Sequence, residues 1–82
     1  MKVQVVLYGG LQRFTGCRKI ELEVAEQNSS VASVSKQLLN SYPDLEEQLS
    51  AVSYSLGDQI VPASTAVSDG DEVGLLPPVS GG

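Results

Sequence analysis

Apolar residues recur along this 82-residue chain with a period of two in four short stretches and with a helical period in one. KVQVVLY (2–8) puts Val3, Val5 and Leu7 on one face and Gln4, Val6 and Tyr8 on the other. Both faces are partly apolar, which predicts a strand covered on both sides at the centre of a sheet. RKIELEV (18–24) alternates more cleanly: Ile20, Leu22 and Val24 turn inward, and Lys19, Glu21 and Glu23 turn to water. AVSYSL (51–56) aligns Val52, Tyr54 and Leu56, and EVGLL (72–76) reads as the last strand. Between them, SSVASVSKQLLNSY (29–42) spaces Val31, Val34, Leu38 and Tyr42 three, four and four apart, one stripe of a helix.

The breaks between these stretches carry their own signals. Leu11 and Phe14, three apart in GGLQRFTG (9–16), predict one helical turn that Gly16 ends. Ser29 or Ser30 can cap the main helix by accepting from an unpaired backbone N–H, and Pro43 disfavours a helical Tyr42. Asp44 and Glu47 have capping-box spacing, with Leu45 and Leu49 on one face of a short second helical turn. Gly57-Asp58 is a two-residue hairpin signal, and QIVP is a short returning strand. Pro62 cannot donate to a ladder and so confines that strand to an edge. Ser68 to Asp71 form a turn. The order is hairpin, helix, then two or three strands, which buries its apolar faces economically as an α+β domain with a helix packed across a mixed sheet. If the first and last strands lie side by side they run parallel at the centre, the β-grasp, ubiquitin-like arrangement. The expected division is a β-grasp domain over 1–76 and an extended Gly-Gly tail over 77–82.

Composition narrows the function. The apolar share of 41% suits a compact domain, and no apolar run approaches the about 18 residues of a transmembrane helix, so no membrane association is expected. The start, MKVQVVLY, lacks the order of a signal peptide, and a cytoplasmic location follows as the default. With one cysteine and no histidine, the chain has no internal disulfide, no zinc ligand set and no Ser-His or Cys-His nucleophile pair. The net charge is −5, and every base lies at or before Lys36. Seven acids follow without one: Asp44, Glu46, Glu47, Asp58, Asp69, Asp71 and Glu72. Nucleic acid demands clustered cations, so it is not expected as a partner. The acidic half is either a solvated surface or a complement to a basic partner.

Candidate chemistry is sparse. GGLQRF lacks the Lys-Ser/Thr pair of a phosphate loop, and Asp69, Asp71 and Glu72 lack the twelve-residue spacing of a calcium loop. No metal and no bound cofactor is expected. Cys17, beside Arg18 and Lys19, has cations that favour a thiolate, yet reads more simply as a small half-buried residue.

The tail is more informative. Pro77 and Pro78 stop the final strand because neither supplies an N–H, and they favour an extended course. Val79 and Ser80 are compact, and Gly81 and Gly82 have no Cβ to hold the backbone out of a narrow channel. Six residues at about 3.3 Å each reach roughly 20 Å beyond the sheet. This stretch, DGDEVGLLPPVSGG, together with the opening VQVVLYGGLQRFTG, resembles the MoaD-type sulfur carriers, the small subunits of molybdopterin synthase. The one departure is the double glycine of LYGGLQ, expected to loosen the first loop without touching the tail.

The resemblance implies a non-catalytic carrier. Gly82 is then the working residue: a ubiquitin-activating-type (MoeB-type) enzyme uses ATP to make its carboxylate an acyl-adenylate, and a persulfide sulfur donor converts that to a thiocarboxylate. Pro77, Pro78, Val79, Ser80 and Gly81 are the part inserted into the synthase large subunit (MoaE-type) within a heterotetramer. There the sulfur passes to cyclic pyranopterin monophosphate to build the molybdopterin dithiolene. The last strand and its neighbours are the expected docking surface. A carrier for thiamine or tRNA thiolation, a ubiquitin-like modifier joined to lysines through Gly82, and a binding module with an idle tail remain alternatives.

Overall fold

A computed structural model describes residues 1–25 and 29–77, and in them a five-stranded mixed sheet of order β2-β1-β5-β3-β4. β1 (Lys2–Leu7) and β2 (Lys19–Glu23) form an antiparallel hairpin in which Val3 lies opposite Leu22 and Val5 opposite Ile20. β5 (Glu72–Leu76) runs parallel to β1, with Val5 opposite Val73 and Leu7 opposite Leu75. β3 (Ser53–Leu56) joins the other side of β5, and β4 (Gln59–Val61) closes the edge. This is the β-grasp arrangement, with the first and last strands paired at the centre.

The register places one set of side chains on the helix side. Val3, Val5, Leu7, Val73 and Leu75 share one core with Val31, Val34 and Leu38 of α2 (Val31–Ser41), and all eight are fully buried. Leu11, Val24, Leu45, Leu49 and Val67 complete it from the connections. Val6 is buried too, although it belongs to the opposite face, as the two-sided apolar character of β1 implies.

One turn sets the register of β5 against β1. The Asp69 carboxylate accepts from the Lys2 N–H at 2.8 Å, and the Gly70 N–H donates to the Lys2 carbonyl at 2.7 Å. The Asp71 carboxylate accepts from the Ser68 N–H at 2.7 Å, closing the turn on itself. Gly70 has φ +86, a left-handed conformation that glycine adopts without a Cβ clash. At the other end of the pair the Tyr8 N–H donates to the Leu75 carbonyl at 3.2 Å.

The start of α2 shows what local reasoning missed. Ser30 is the N-cap, its hydroxyl accepting from the Ser33 N–H at 3.2 Å, while the Ser29 hydroxyl donates instead to the Ala25 carbonyl. The first two helical N–H groups, of Val31 and Ala32, donate to the carbonyls of Thr65 and Ala63 at 3.0 and 3.1 Å. Orphan donors at a helix start need partners, and the loop after β4 supplies them. Ser30 also forms a bridge with Ala66, so this loop seals the helix to the sheet.

Some expectations fail locally. The Asp44/Glu47 capping box does not form: Pro43–Leu45 is a 3-10 turn running straight into α3 (Glu46–Leu49), and Leu45 takes the N-cap position with no side-chain cap. Phe14 lies in α1 (Gln12–Thr15) as expected, and Gly16 ends it at φ +74, but only Leu11 of the predicted pair is buried. Leu11 belongs to the 3-10 turn Gly9–Leu11 that precedes α1, so the two do not share one regular helical turn, and Phe14 stays 38% exposed. Among the described residues no helix is long and apolar enough to cross a membrane.

The importance of the central pair can be measured. Leu7→Ala, at a fully buried position, should cost about 2–5 kcal/mol, read from urea unfolding midpoints at constant m. Ile60→Ser, on the edge strand and 67% exposed, should stay within about 0.5 kcal/mol of the parent.

Candidate functional site

The parallel pairing sends β1 and β5 out of the sheet at the same end. There β1 passes into Tyr8, Gly9 and Gly10, and β5 passes through Leu76 into Pro77. Pro77 is the first tail residue and is half-buried. Pro78, Val79, Ser80, Gly81 and Gly82, also expected to act, lie outside the described residues.

The expectation that the double glycine leaves the tail alone is corrected here. Gly9 has φ +57, and a Cβ built on it would sit 2.9 Å from Cγ of Pro77 and 3.7 Å from its Cδ. The first loop and the first tail residue are therefore packed together. Sequence could not reveal this because the two residues lie at opposite ends of the chain; the signal available was that a left-handed glycine follows a strand pairing with the last one.

The sheet face opposite α2 carries a second close approach beside this exit. Cross-strand partners along it run Val6, Gly74, Ser55 and Ile60. A Cβ on Gly74 would meet Ser55 Oγ, and would lie 3.0 Å from Cε2 of Tyr8. The Tyr8 ring thus rests directly on the β5 backbone, where the absence of a side chain at Gly74 makes room for it. Tyr8 is 37% exposed, Leu76 is half-buried and Ile60 projects from the edge. Apolar groups do lie beside the exit, as expected of the last strand and its neighbours.

Charge on this face is partly committed. Lys19 and Glu72 form an ion pair at 3.2 Å, with both side chains about half exposed. Such a pair contributes at most about 1 kcal/mol, but it removes Glu72 from the free acids. Asp69 and Asp71 are likewise occupied in the turn before β5. Asp44, Glu46, Glu47 and Asp58 are exposed and make up what remains of the acidic half. Cys17 is exposed rather than half-buried; its N–H donates to the Thr15 hydroxyl at 3.1 Å, which donates in turn to the Cys17 carbonyl at 2.8 Å. Among the described residues no cluster of acids and cysteine is arranged to hold a metal, and no pocket is enclosed.

Comparison with known proteins gives a consistent picture. Residues 5–82 match the model of the ThiS family. The chain is 30% identical over 82 residues to the molybdopterin synthase sulfur carrier subunit of Mycobacterium tuberculosis, covering 100% of this chain and 99% of that one. SAMP1 from Haloferax volcanii superposes with a TM-score of 0.87 at 23% identity, all of both chains being covered. A chain in the complex of subunits 1 and 2 of the molybdopterin-converting factor from Helicobacter pylori superposes at 0.71 with 25% identity, again over both whole chains.

The Tyr8–Gly74 contact is open to test. Gly74→Ala should displace the Tyr8 ring and turn the Ser55 hydroxyl, costing about 1–3 kcal/mol as an overpacked site. The check is the nuclear Overhauser contact between the Tyr8 ring and the residue 74 α-proton, strong in the parent and lost in the variant.

Proposed function

Since the chain belongs to the ThiS family, we propose that it is the sulfur carrier subunit of a molybdopterin synthase, working in the cytoplasm. The end-to-end match to the mycobacterial subunit of that name carries the reading. The fold agrees with it: a central strand delivers its last residues at one end of the sheet, followed by a stem of two prolines and a tip of two glycines.

In this proposal the Gly82 carboxylate is the reacting group. A carboxylate is a poor electrophile, so an adenylating enzyme of the ubiquitin-activating type joins it to AMP from ATP, releasing pyrophosphate. The outer sulfur of a persulfide donor displaces AMP to give an acyl disulfide. A thiol then cleaves its S–S bond, leaving the donor sulfur in a new disulfide with that thiol and Gly82 as a thiocarboxylate. That group is ionised at neutral pH, and its soft sulfur attacks carbon better than the oxygen of the parent acid. Residues 77 to 81 carry it into the large subunit, where two successive transfers furnish the dithiolene of molybdopterin from cyclic pyranopterin monophosphate. The carrier returns each time as a carboxylate. ATP is used by the activating enzyme, and this chain supplies a reactant and a docking surface.

A second subunit as partner is supported by the Helicobacter pylori assembly, in which a similar chain is paired with subunit 2. The face bearing Tyr8, Leu76 and Ile60 is the proposed contact, since it borders the point where the tail leaves and holds exposed apolar groups. The remaining exposed acids would raise the encounter rate with a basic rim more than they raise final affinity.

The decisive experiment is intact mass after incubation with ATP, an adenylating partner and a sulfur donor. The chain should gain the difference between one sulfur and one oxygen, confined to Gly82. Addition of one residue after Gly82 should abolish the gain. An unchanged mass with several adenylating partners would sink the reading, and adducts linking Gly82 to lysine would favour a protein modifier. Separately, Tyr8→Ala should weaken binding to the large subunit by about 1–2 kcal/mol, measured by calorimetry, with the fold retained by circular dichroism.

A further inference from the structure

We propose that Gly9 is a positioning residue for the tail: the space left by its missing side chain seats the Pro77 ring and fixes the direction in which the chain leaves the sheet. Its consequence for chemistry rests on the carrier reading above, whereas the seat itself does not.

The geometry singles out Gly9 among the left-handed glycines. Gly16, Gly57 and Gly70 have φ of +74, +62 and +86, and a Cβ built on any of them meets nothing within 4 Å. At those positions glycine serves backbone conformation alone. At Gly9 a Cβ would lie 2.9 Å from Pro77 Cγ, closer than real Cβ contacts come. The position needs both the left-handed backbone and the empty space.

Neither partner can easily retreat. The turn after Tyr8 is pinned by Leu11, which is fully buried and whose N–H donates to the Tyr8 carbonyl at 3.2 Å. The Gln12 side-chain amide donates to the Leu7 carbonyl at 3.2 Å and ties α1 back to β1. On the other side, the Pro77 ring is bonded to its own backbone nitrogen and has no rotamer by which to swing clear; beyond a change of pucker, it moves only with the main chain. β5 just before it is held by the ladder to β1, up to the Tyr8–Leu75 hydrogen bond. A side chain at position 9 therefore presses on Pro77 and is relieved by a change of ring pucker or by a rotation of the main chain there.

Five residues follow Pro77; were they fully extended they would reach at most about 16 Å at about 3.3 Å each, and over that reach a turn of about 10° at the base would move the end by roughly 3 Å. Misplacement of a reacting atom by about 1 Å is enough to cost about 100-fold in rate. The seat would thus govern how well the Gly82 carboxylate meets the α-phosphate of ATP in an adenylating enzyme.

The test uses the full chain with a purified MoeB-type adenylating enzyme, ATP and radiolabelled pyrophosphate, and reads ATP–pyrophosphate exchange for the parent, Gly9→Ala, Gly16→Ala, Pro77→Ala and the Gly9→Ala/Pro77→Ala double variant. Gly9→Ala should lower kcat by about 10- to 100-fold with KM nearly unchanged, because the docking face is intact. Gly16→Ala pays the same backbone penalty without the contact and should match the parent. In the Pro77→Ala background, where Cγ and Cδ are gone, adding Gly9→Ala should change kcat by less than about threefold, the non-additivity expected of residues acting through one contact. Equal losses from Gly9→Ala in both backgrounds, or a folded Gly9→Ala variant with parental kcat, would overturn the proposal. The seat is also read without any enzyme, as Overhauser contacts between the Gly9 α-protons and the Pro77 ring in the free parent protein. Their absence would refute it even if Gly9→Ala failed to fold. If the parent supports no exchange while these contacts are present, the carrier reading falls and the seat stands.

Discussion

The parallel pairing of β1 with β5 is the constraint on which the rest of this molecule depends. It joins the two ends of the chain across the middle of the sheet, so everything between them must fit the space it defines. The β1–β2 hairpin and the β3–β4 hairpin flank it on either side, and α2 crosses one face to cover the row of Val3, Val5, Leu7, Val73 and Leu75. Parallel strands cannot be joined by a tight turn, and here the crossover consumes most of the chain. Such a pairing closes a long loop before it is rewarded, which slows folding relative to local contacts. The Asp69–Gly70 turn offsets part of that difficulty by grasping both backbone groups of Lys2 and leaving a single register available.

The same pairing decides where function can sit. Because the strands are parallel, the segment after β1 and the segment after β5 emerge together, and the first loop of the chain becomes the neighbour of its tail. Gly9 meets Pro77, and Tyr8 meets Gly74. An antiparallel arrangement of the same two strands would have separated them by the length of the sheet. The glycine at the centre of β5 weakens a strand in isolation, and its retention between Val73 and Leu75 makes sense as the floor on which the Tyr8 ring lies.

Most of the elements were legible because each announces itself by a local period. The alternation of Ile20, Leu22 and Val24, the helical stripe from Val31 to Leu38, the hairpin at Gly57-Asp58 and the edge position imposed by Pro62 all depend on residues a few positions apart. The central place of the first strand followed from the apolar residues on both its faces, whereas its parallel pairing with the last strand was a further step that the period alone did not supply. What escaped is what depends on residues distant in sequence. Val31 and Ala32 looked like donors in want of a cap, and their partners at Thr65 and Ala63 belong to a stretch with no period at all. Phe14 had the spacing of a core residue, but the 3-10 turn that holds Leu11 breaks the regular helix on which that spacing relied. The acids after Lys36 looked like one surface of seven; three are spent on the approach and register of β5. The Gly9–Pro77 contact is the extreme case, since neither residue's neighbours foretell the other.

In the proposed carrier role, the arm meets a particular entropic problem. Each residue of an arm that must be fixed when it enters another protein costs about 1–2 kcal/mol of backbone freedom, and slim residues, chosen so that a narrow channel admits them, have the most freedom to lose. Stiffness has to come from the other end. Proline already has its φ set by its ring, and at Pro77 the ring is in addition lodged against a backbone that has no side chain to push it away. The part of the arm nearest the sheet is therefore ordered before any partner is met, and its ordering is included in the folding of the domain rather than in the binding step. The wide tolerance of glycine and the rigidity of proline are opposite properties. Gly9 and Pro77 use both at one contact.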